Sequence, residues 1–273
     1  MPEIRNLGTV LQTDENGYLI SEADASYIVE PWKSVVEDTK NTYLSHIDEE
    51  HIHSMYVRGT VARGKGIEGV SDVDTFVVTT CDPDELDLSW GRTERKKLEE
   101  KHSFVSGVEF DIKWYDEVFG PTDGGFEDRF TIKTQSACVY GEGLSSHIEP
   151  CKADVATARR LGNDFESALS KAKNRLNEAS TPEEKRFWCR WMMKRILRGG
   201  FLLVMPQEQG FTRDLYPSYE RFARWYPEKA SQMRQALEWA INPTDEVQQV
   251  LAFLETFGSW LSEERERVFN LEG

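Results

Sequence analysis

Tyr56–Val78, YVRGTVARGKGIEGVSDVDTFVV, is the stretch whose reading decides the fold. Gly59-Thr60 lies near its start, and Ser71-Asp72-Val73-Asp74 leads into a β-branched and aromatic run. Asp72 and Asp74 stand two apart at the head of an expected strand, so both side chains leave the same face of the sheet. Carboxylates forced side by side repel unless a cation sits between them, and Mg²⁺ is the usual choice. The Gly-rich turn upstream can lay backbone N–H groups against phosphates. Together these features point to metal-dependent chemistry on a nucleoside triphosphate.

Outward from this stretch, short strands are expected at His53–Val57, Asp72–Thr79 and Gly107–Trp114. In the last of these, Val108, Phe110 and Ile112 alternate with Glu109, Asp111 and Lys113. Residues 8–20 read as a small hairpin about Asp14-Glu15-Asn16-Gly17. A helix is expected over Ser21–Glu49, a charged surface helix over Thr93–His102, and another helix over Phe126–Ser136, followed by a short strand or loop at Ala137–Tyr140. Past residue 150 helical periodicity takes over, at Ala153–Glu178, Pro182–Met205, Tyr216–Trp225, Pro227–Ile241 and Asp245–Phe269. Thr181-Pro182-Glu183-Glu184 is a helix start with a cap, a first-position proline and acids in the first turn. The expected fold class is α+β. A small mixed-sheet catalytic domain covers residues 1–150, hairpin and first helix included, and an all-α helical bundle covers 151–273.

The net charge of −15 is unevenly placed. Residues 1–150 hold 14 Lys/Arg against 30 Asp/Glu, whereas residues 151–273 hold 19 against 18. An acidic half repels a polynucleotide backbone, whose binding needs Lys and Arg, and attracts a cationic small molecule. The four cysteines (Cys81, Cys138, Cys151 and Cys189) form no CxxC pair, which disfavours structural zinc and suits a reducing cytoplasm. No apolar run of membrane-spanning length and no secretory signal pattern is present, so a cytoplasmic location with no membrane partner is expected. No Walker-type loop and no Ser/His/Asp or Cys/His set is identifiable.

The Gly-Thr turn, the Asp72/Asp74 pair and the acidic strand at 107–114 resemble the nucleotidyltransferase superfamily of the polymerase beta type. The segment VYGEGL (139–144) is similar to the stretch after that family's catalytic core. FTRDL (211–215) and Trp225-Tyr226-Pro227 resemble the C-terminal bundle of antibiotic (aminoglycoside) nucleotidyltransferases. Thr60 departs from the family's usual Ser but keeps the hydroxyl and the backbone N–H.

The resemblance implies two Mg²⁺ ions and ATP or another NTP as substrate. Asp72 and Asp74 would hold metal, and a third acid would complete the set: either Asp111, preferred as the metal ligand, or Glu109, the candidate base. Gly59, Thr60, Arg63 and Ser71 would meet the nucleotide. So would Lys194 and Arg198, from the stripe Arg186, Arg190, Lys194, Arg198, together with Arg213. A stripe repeating every four residues serves equally as the wet face of a helix. The implied reaction moves a nucleoside monophosphate, AMP from ATP, onto a hydroxyl of a small cationic acceptor such as an aminoglycoside, releasing pyrophosphate. The alternatives are nucleotidylation of a protein side chain and a non-catalytic nucleotide-binding module.

Overall fold

A computed structural model describes residues 4–120 and 123–270. A two-residue strand, β1 (Leu11–Gln12), leads into the expected turn, where the Asp14 carboxylate accepts the N–H groups of Asn16 and Tyr18 at 2.9 Å each. Next comes α1 (Trp32–His46). Its start lies well after the expected Ser21, because the residue before a proline is pushed out of helical conformation and Pro31 therefore sets the boundary. β2 (Ile52–Arg58) runs into the single turn α2 (Gly59–Ala62), and the chain returns through β3 (Val73–Thr79). α3 (Gly91–Lys101), β4 (Val108–Trp114), α4 (Tyr115–Phe119), α5 (Phe126–Gln135) and β5 (Ser136–Gly141) follow.

The remainder is nearly all helical: α6 (Val155–Leu161), α7 (Phe165–Glu178), α8 (Pro182–Glu208), a two-residue β6 (Gly210–Phe211), α9 (Leu215–Trp225), α10 (Ala230–Ile241), α11 (Val247–Phe253) and α12 (Ser259–Asn270). The helix expected over 153–178 is two helices. α6 ends at Gly162, whose carbonyl is taken by the buried Arg265 guanidinium at 2.7 Å. The cap at Thr181 forms as expected: the Glu184 N–H donates to its hydroxyl, and the Glu184 carboxylate accepts the Thr181 N–H, both at 3.2 Å. A turn of π-helix, Leu254–Gly258, joins α11 to α12.

The chain divides into two compact units. One is Ile20–Cys151; the other joins the residues up to Leu19 to those from Lys152 onward. The expected grouping of the N-terminal hairpin with the catalytic domain is thus corrected. β1 pairs antiparallel with β6, Leu11 opposite Phe211 and Gln12 opposite Gly210. Asp214 accepts the Thr9 N–H at 2.8 Å, and the Thr212 hydroxyl donates to the Thr9 carbonyl at 2.6 Å. The FTRDL segment is what anchors the N-terminal stretch.

The Ile20–Cys151 unit holds a mixed sheet in the order β4-β3-β2-β5, with β3 and β4 parallel and the other pairs antiparallel. One face carries Met55, Val57, Val73 and Val77, packed beneath by Val35, Val36 and Tyr43 of α1 and Leu98 of α3. The other face changes character along the strands. Tyr56, Phe76 and Val78 are buried with Val118 of α4 and Ile132 of α5, whereas Arg58 and Asp74 at the other end are only half-buried. That polar end is where the acids gather.

Candidate active site

Register decides which acids meet. β2 and β3 are antiparallel with Arg58 opposite Asp74, and β3 and β4 are parallel with Asp74 beside Glu109. Residues paired across strands share a face, so three strands deliver Arg58, Asp74 and Glu109 in one row. Asp72 leads β3 two residues earlier and is exposed. Gly59 turns the chain over the row at φ +77°, a conformation that favours glycine, and a Cβ there would stand 3.1 Å from Asp74 Oδ2.

The loop from the turn to the strand is tied at Ser71. Its hydroxyl accepts the Thr60 hydroxyl and the Ile67 N–H, each at 3.0 Å, and its own N–H donates to the Ile67 carbonyl at 2.8 Å. The hydroxyl that Thr60 retains in place of the usual serine's therefore connects the two halves of the motif. Arg63 folds back, donating from Nε to the Gly59 carbonyl at 3.3 Å. Lys65, in the GKGIEG segment, lies 2.8 Å from Glu22 Oε2.

Glu109 is held by Arg58, whose Nη2 stands 3.0 Å from Glu109 Oε2. The Asp74 carboxyl is pushed up to about 7, by burial first, then by its hydrogen bond with Glu109 and the charge of Asp72, while Arg58 pulls the other way. A carboxyl in that state holds its proton far more readily than an ordinary aspartate does.

The same register sets Glu109, and not Asp111, beside Asp74. Asp111 lies beside Phe76, two residues further along β4 than Glu109, and its carboxylate stands 3.2 Å from Lys113 Nζ. Lys113 also reaches Asp128 of α5 at 3.1 Å. Burial acts to lower the Lys113 pKa, but the charges of Asp128 and Asp111 outweigh it, so the lysine stays cationic between them. The sequence marks Arg58 only by its place before Gly59; the signal for its pairing is that it ends β2 opposite the acid that β3 presents.

Lys194, Arg198 and Arg213 belong to the other unit, where Arg198 Nε donates to the Arg213 carbonyl at 3.4 Å. Of the basic stripe, Arg186 is paired with Asp245 at 2.7 Å and Glu183 at 3.0 Å. Trp225, from the Trp225-Tyr226-Pro227 stretch, donates its indole N–H to Glu208 at 2.7 Å. Trp188 and Trp191 meet edge to face at 5.3 Å.

Among the described residues no three His, Cys, Asp or Glu side chains form a ready-made metal cage. Mg²⁺ does not require one, since it keeps several waters and is bound through one or two carboxylates plus substrate phosphates. The donor set fits that pattern: hard oxygen ligands on Asp72 and Asp74, one of them destabilised as an anion until a cation is supplied.

Residues 39–140 match the family model described as "Nucleotidyltransferase domain". The chain thus carries a nucleotidyltransferase domain and is a transferase enzyme, as its motifs led one to expect. Among solved structures, its fold is shared with the spectinomycin adenyltransferase AAD(9) from Enterococcus faecialis, solved with ATP and spectinomycin. The two are 11% identical with a TM-score of 0.52, and the match covers 86% of this chain and 98% of that one. No curated protein sequence matches the chain. No helix among the described residues is long and apolar enough to cross a membrane.

Proposed function

We propose that the chain is a Mg²⁺-dependent nucleotidyltransferase that moves AMP from ATP onto a hydroxyl of a small cationic acceptor of the aminoglycoside kind and releases pyrophosphate. The observation that carries this reading is the row Arg58–Asp74–Glu109 under the Gly59 turn, with Asp72 beside it. The ATP and spectinomycin bound to the structural neighbour and the acidic balance of residues 1–150 support the choice of nucleotide and acceptor. The four free thiols support work in the reducing cytoplasm.

In this reading Asp72 and Asp74 hold Mg²⁺, which when bound neutralises triphosphate charge and lowers the pKa of the acceptor hydroxyl. Gly59, Thr60 and Ser71 shape the loop that seats the phosphates, with Arg63 at its far end. Glu109 takes the acceptor proton, and Arg58 holds its carboxylate through the ion pair along the row.

The test is incubation with Mg²⁺, labelled ATP and a panel of aminoglycosides and aminocyclitols, with a protein extract as a separate arm. Label on a small cationic acceptor, matched by pyrophosphate release, supports the reading. Label confined to protein moves the acceptor to the protein class, and no release with any acceptor removes the catalytic reading.

A further inference from the structure

Beneath the seam between β3 and β4, two hydroxyls are buried in a face otherwise packed with Val73, Val77 and Phe110. Tyr43 of α1 is 1% exposed and Thr75 of β3 is 0% exposed. Unbonded hydroxyls at such depth would be costly, and both are bonded. Thr75 Oγ1 donates to the Glu109 carbonyl at 2.7 Å. The Tyr43 hydroxyl lies 3.2 Å from the Asp111 carbonyl oxygen, to which it can donate, and accepts the Asp111 N–H at 3.0 Å. The two hydroxyls are 3.3 Å apart.

Packing alone does not call for these hydroxyls. Phe at 43 and Val at 75 would fill the same space, and the edge-to-face contacts of the Tyr43 ring with Phe110 at 5.0 Å and Trp90 at 5.9 Å need no oxygen. What the hydroxyls add is a grip on the β4 backbone at Glu109 and just after it. Among the described residues β4 ends the sheet order, with β3 as its one ladder partner, so a single set of backbone ladder bonds otherwise fixes the strand that bears Glu109.

We propose that Tyr43 and Thr75 are positioning residues, acting through the sheet to hold β4 so that Glu109 stands beside Asp74. This rests on the reading of Asp72, Asp74 and Glu109 as the surroundings of a divalent cation.

The test uses Mn²⁺ alone, titrated calorimetrically into the full chain without nucleotide. Glu109→Gln is expected to weaken Mn²⁺ binding about tenfold, and Tyr43→Phe and Thr75→Val each to weaken it roughly three- to tenfold, the scale of outer-shell changes at metal sites. Thr75→Ser, which keeps the hydroxyl, is expected to hold the parent affinity. In the Glu109→Gln background neither Tyr43→Phe nor Thr75→Val is expected to add a further loss, because both act through Glu109. Equal losses in both backgrounds, or a lowered melting temperature with unchanged affinity, would overturn the proposal alone. Binding indifferent to Glu109→Gln would likewise overturn the proposal alone, whereas no Mn²⁺ binding by the parent chain would overturn the cation-site reading and the proposal with it. Should Tyr43→Phe fail to fold, Thr75→Val and Thr75→Ser decide the matter.

Discussion

The two faces of the four-stranded sheet are built on opposite principles. One end of one face gathers Asp72, Asp74 and Glu109 with Arg58 as the cation in their row, so like charge is left to be relieved by a ligand. The opposite face buries Met55, Val57, Val73 and Val77 against α1 and α3. Burial at roughly 25 cal/mol per Å² of apolar surface is what holds the strands together against the repulsion on the other side. The contrast teaches that this unit separates stability from chemistry by strand parity: a shift of one residue in register would exchange the two.

Asp74→Asn is expected to break the contrast most severely. It removes from the centre of the row the carboxylate that we propose holds Mg²⁺, and loss of several kcal/mol of transition-state stabilisation corresponds to about 10³-fold or more in kcat. Pyrophosphate release under Mg²⁺-ATP, with the acceptor found by the panel, measures it. Turnover within tenfold of the parent would mean that the acid face is not where the reaction occurs.

The next effect separates two acids on one strand. Glu109→Gln is expected to lower kcat by roughly 10²- to 10⁴-fold, the usual range for a general base. Asp111→Asn, beside Phe76 and engaged by Lys113, is expected to change it only about threefold, as for a partly exposed ion pair. A larger loss at Asp111 than at Glu109 would restore Asp111 as the third acid.

On the packed face the expected damage is to stability. Val77 is 0% exposed, and Val77→Ala is expected to lower unfolding free energy by about 2 kcal/mol while leaving turnover per folded molecule unchanged. Urea unfolding followed beside the activity assay reads both quantities. A loss of turnover without a loss of stability would show that the faces are coupled.

The catalytic stretch was legible because its signals are local. Glycine at a left-handed turn, two acids at period two and a β-branched strand each follow from neighbours in sequence, and the fold class and nucleotidyl chemistry follow from them. Which acid of β4 stands beside Asp74 was not legible. Glu109 and Asp111 alternate identically along β4, and their placement depends on a parallel register with β3 set more than thirty residues away. The same limit explains the hairpin at the N-terminus, whose turn at Asp14 is local but whose partner Phe211 lies far along the chain. No local pattern marks the role of Tyr43, since a helix period reports burial and not what a buried hydroxyl is bonded to.

The smallest expected effect is the pH dependence of the metal-free protein. Burial, the hydrogen bond with Glu109 and the charge of Asp72 push the Asp74 carboxyl up to about 7, above the ordinary carboxylate value it regains on unfolding. Between those two values the folded chain binds more protons than the unfolded one. The contribution of this group is therefore fully present below the ordinary Asp pKa and is lost as pH rises through about 7. Asp74→Asn cannot ionise, so in chelator it is expected to gain stability over the parent between about pH 5 and about pH 8, on the order of 1–3 kcal/mol. On the proposed reading Mg²⁺ would bind the ionised carboxylate and displace its proton, so adding it at the higher pH is expected to raise the parent's melting temperature and leave Asp74→Asn unmoved. Denaturant curves at both pH values, with and without Mg²⁺, measure the sign. Parallel behaviour of parent and variant would mean that the acid face carries its charges without need of a cation, and the contrast between the two faces would lose its electrostatic basis.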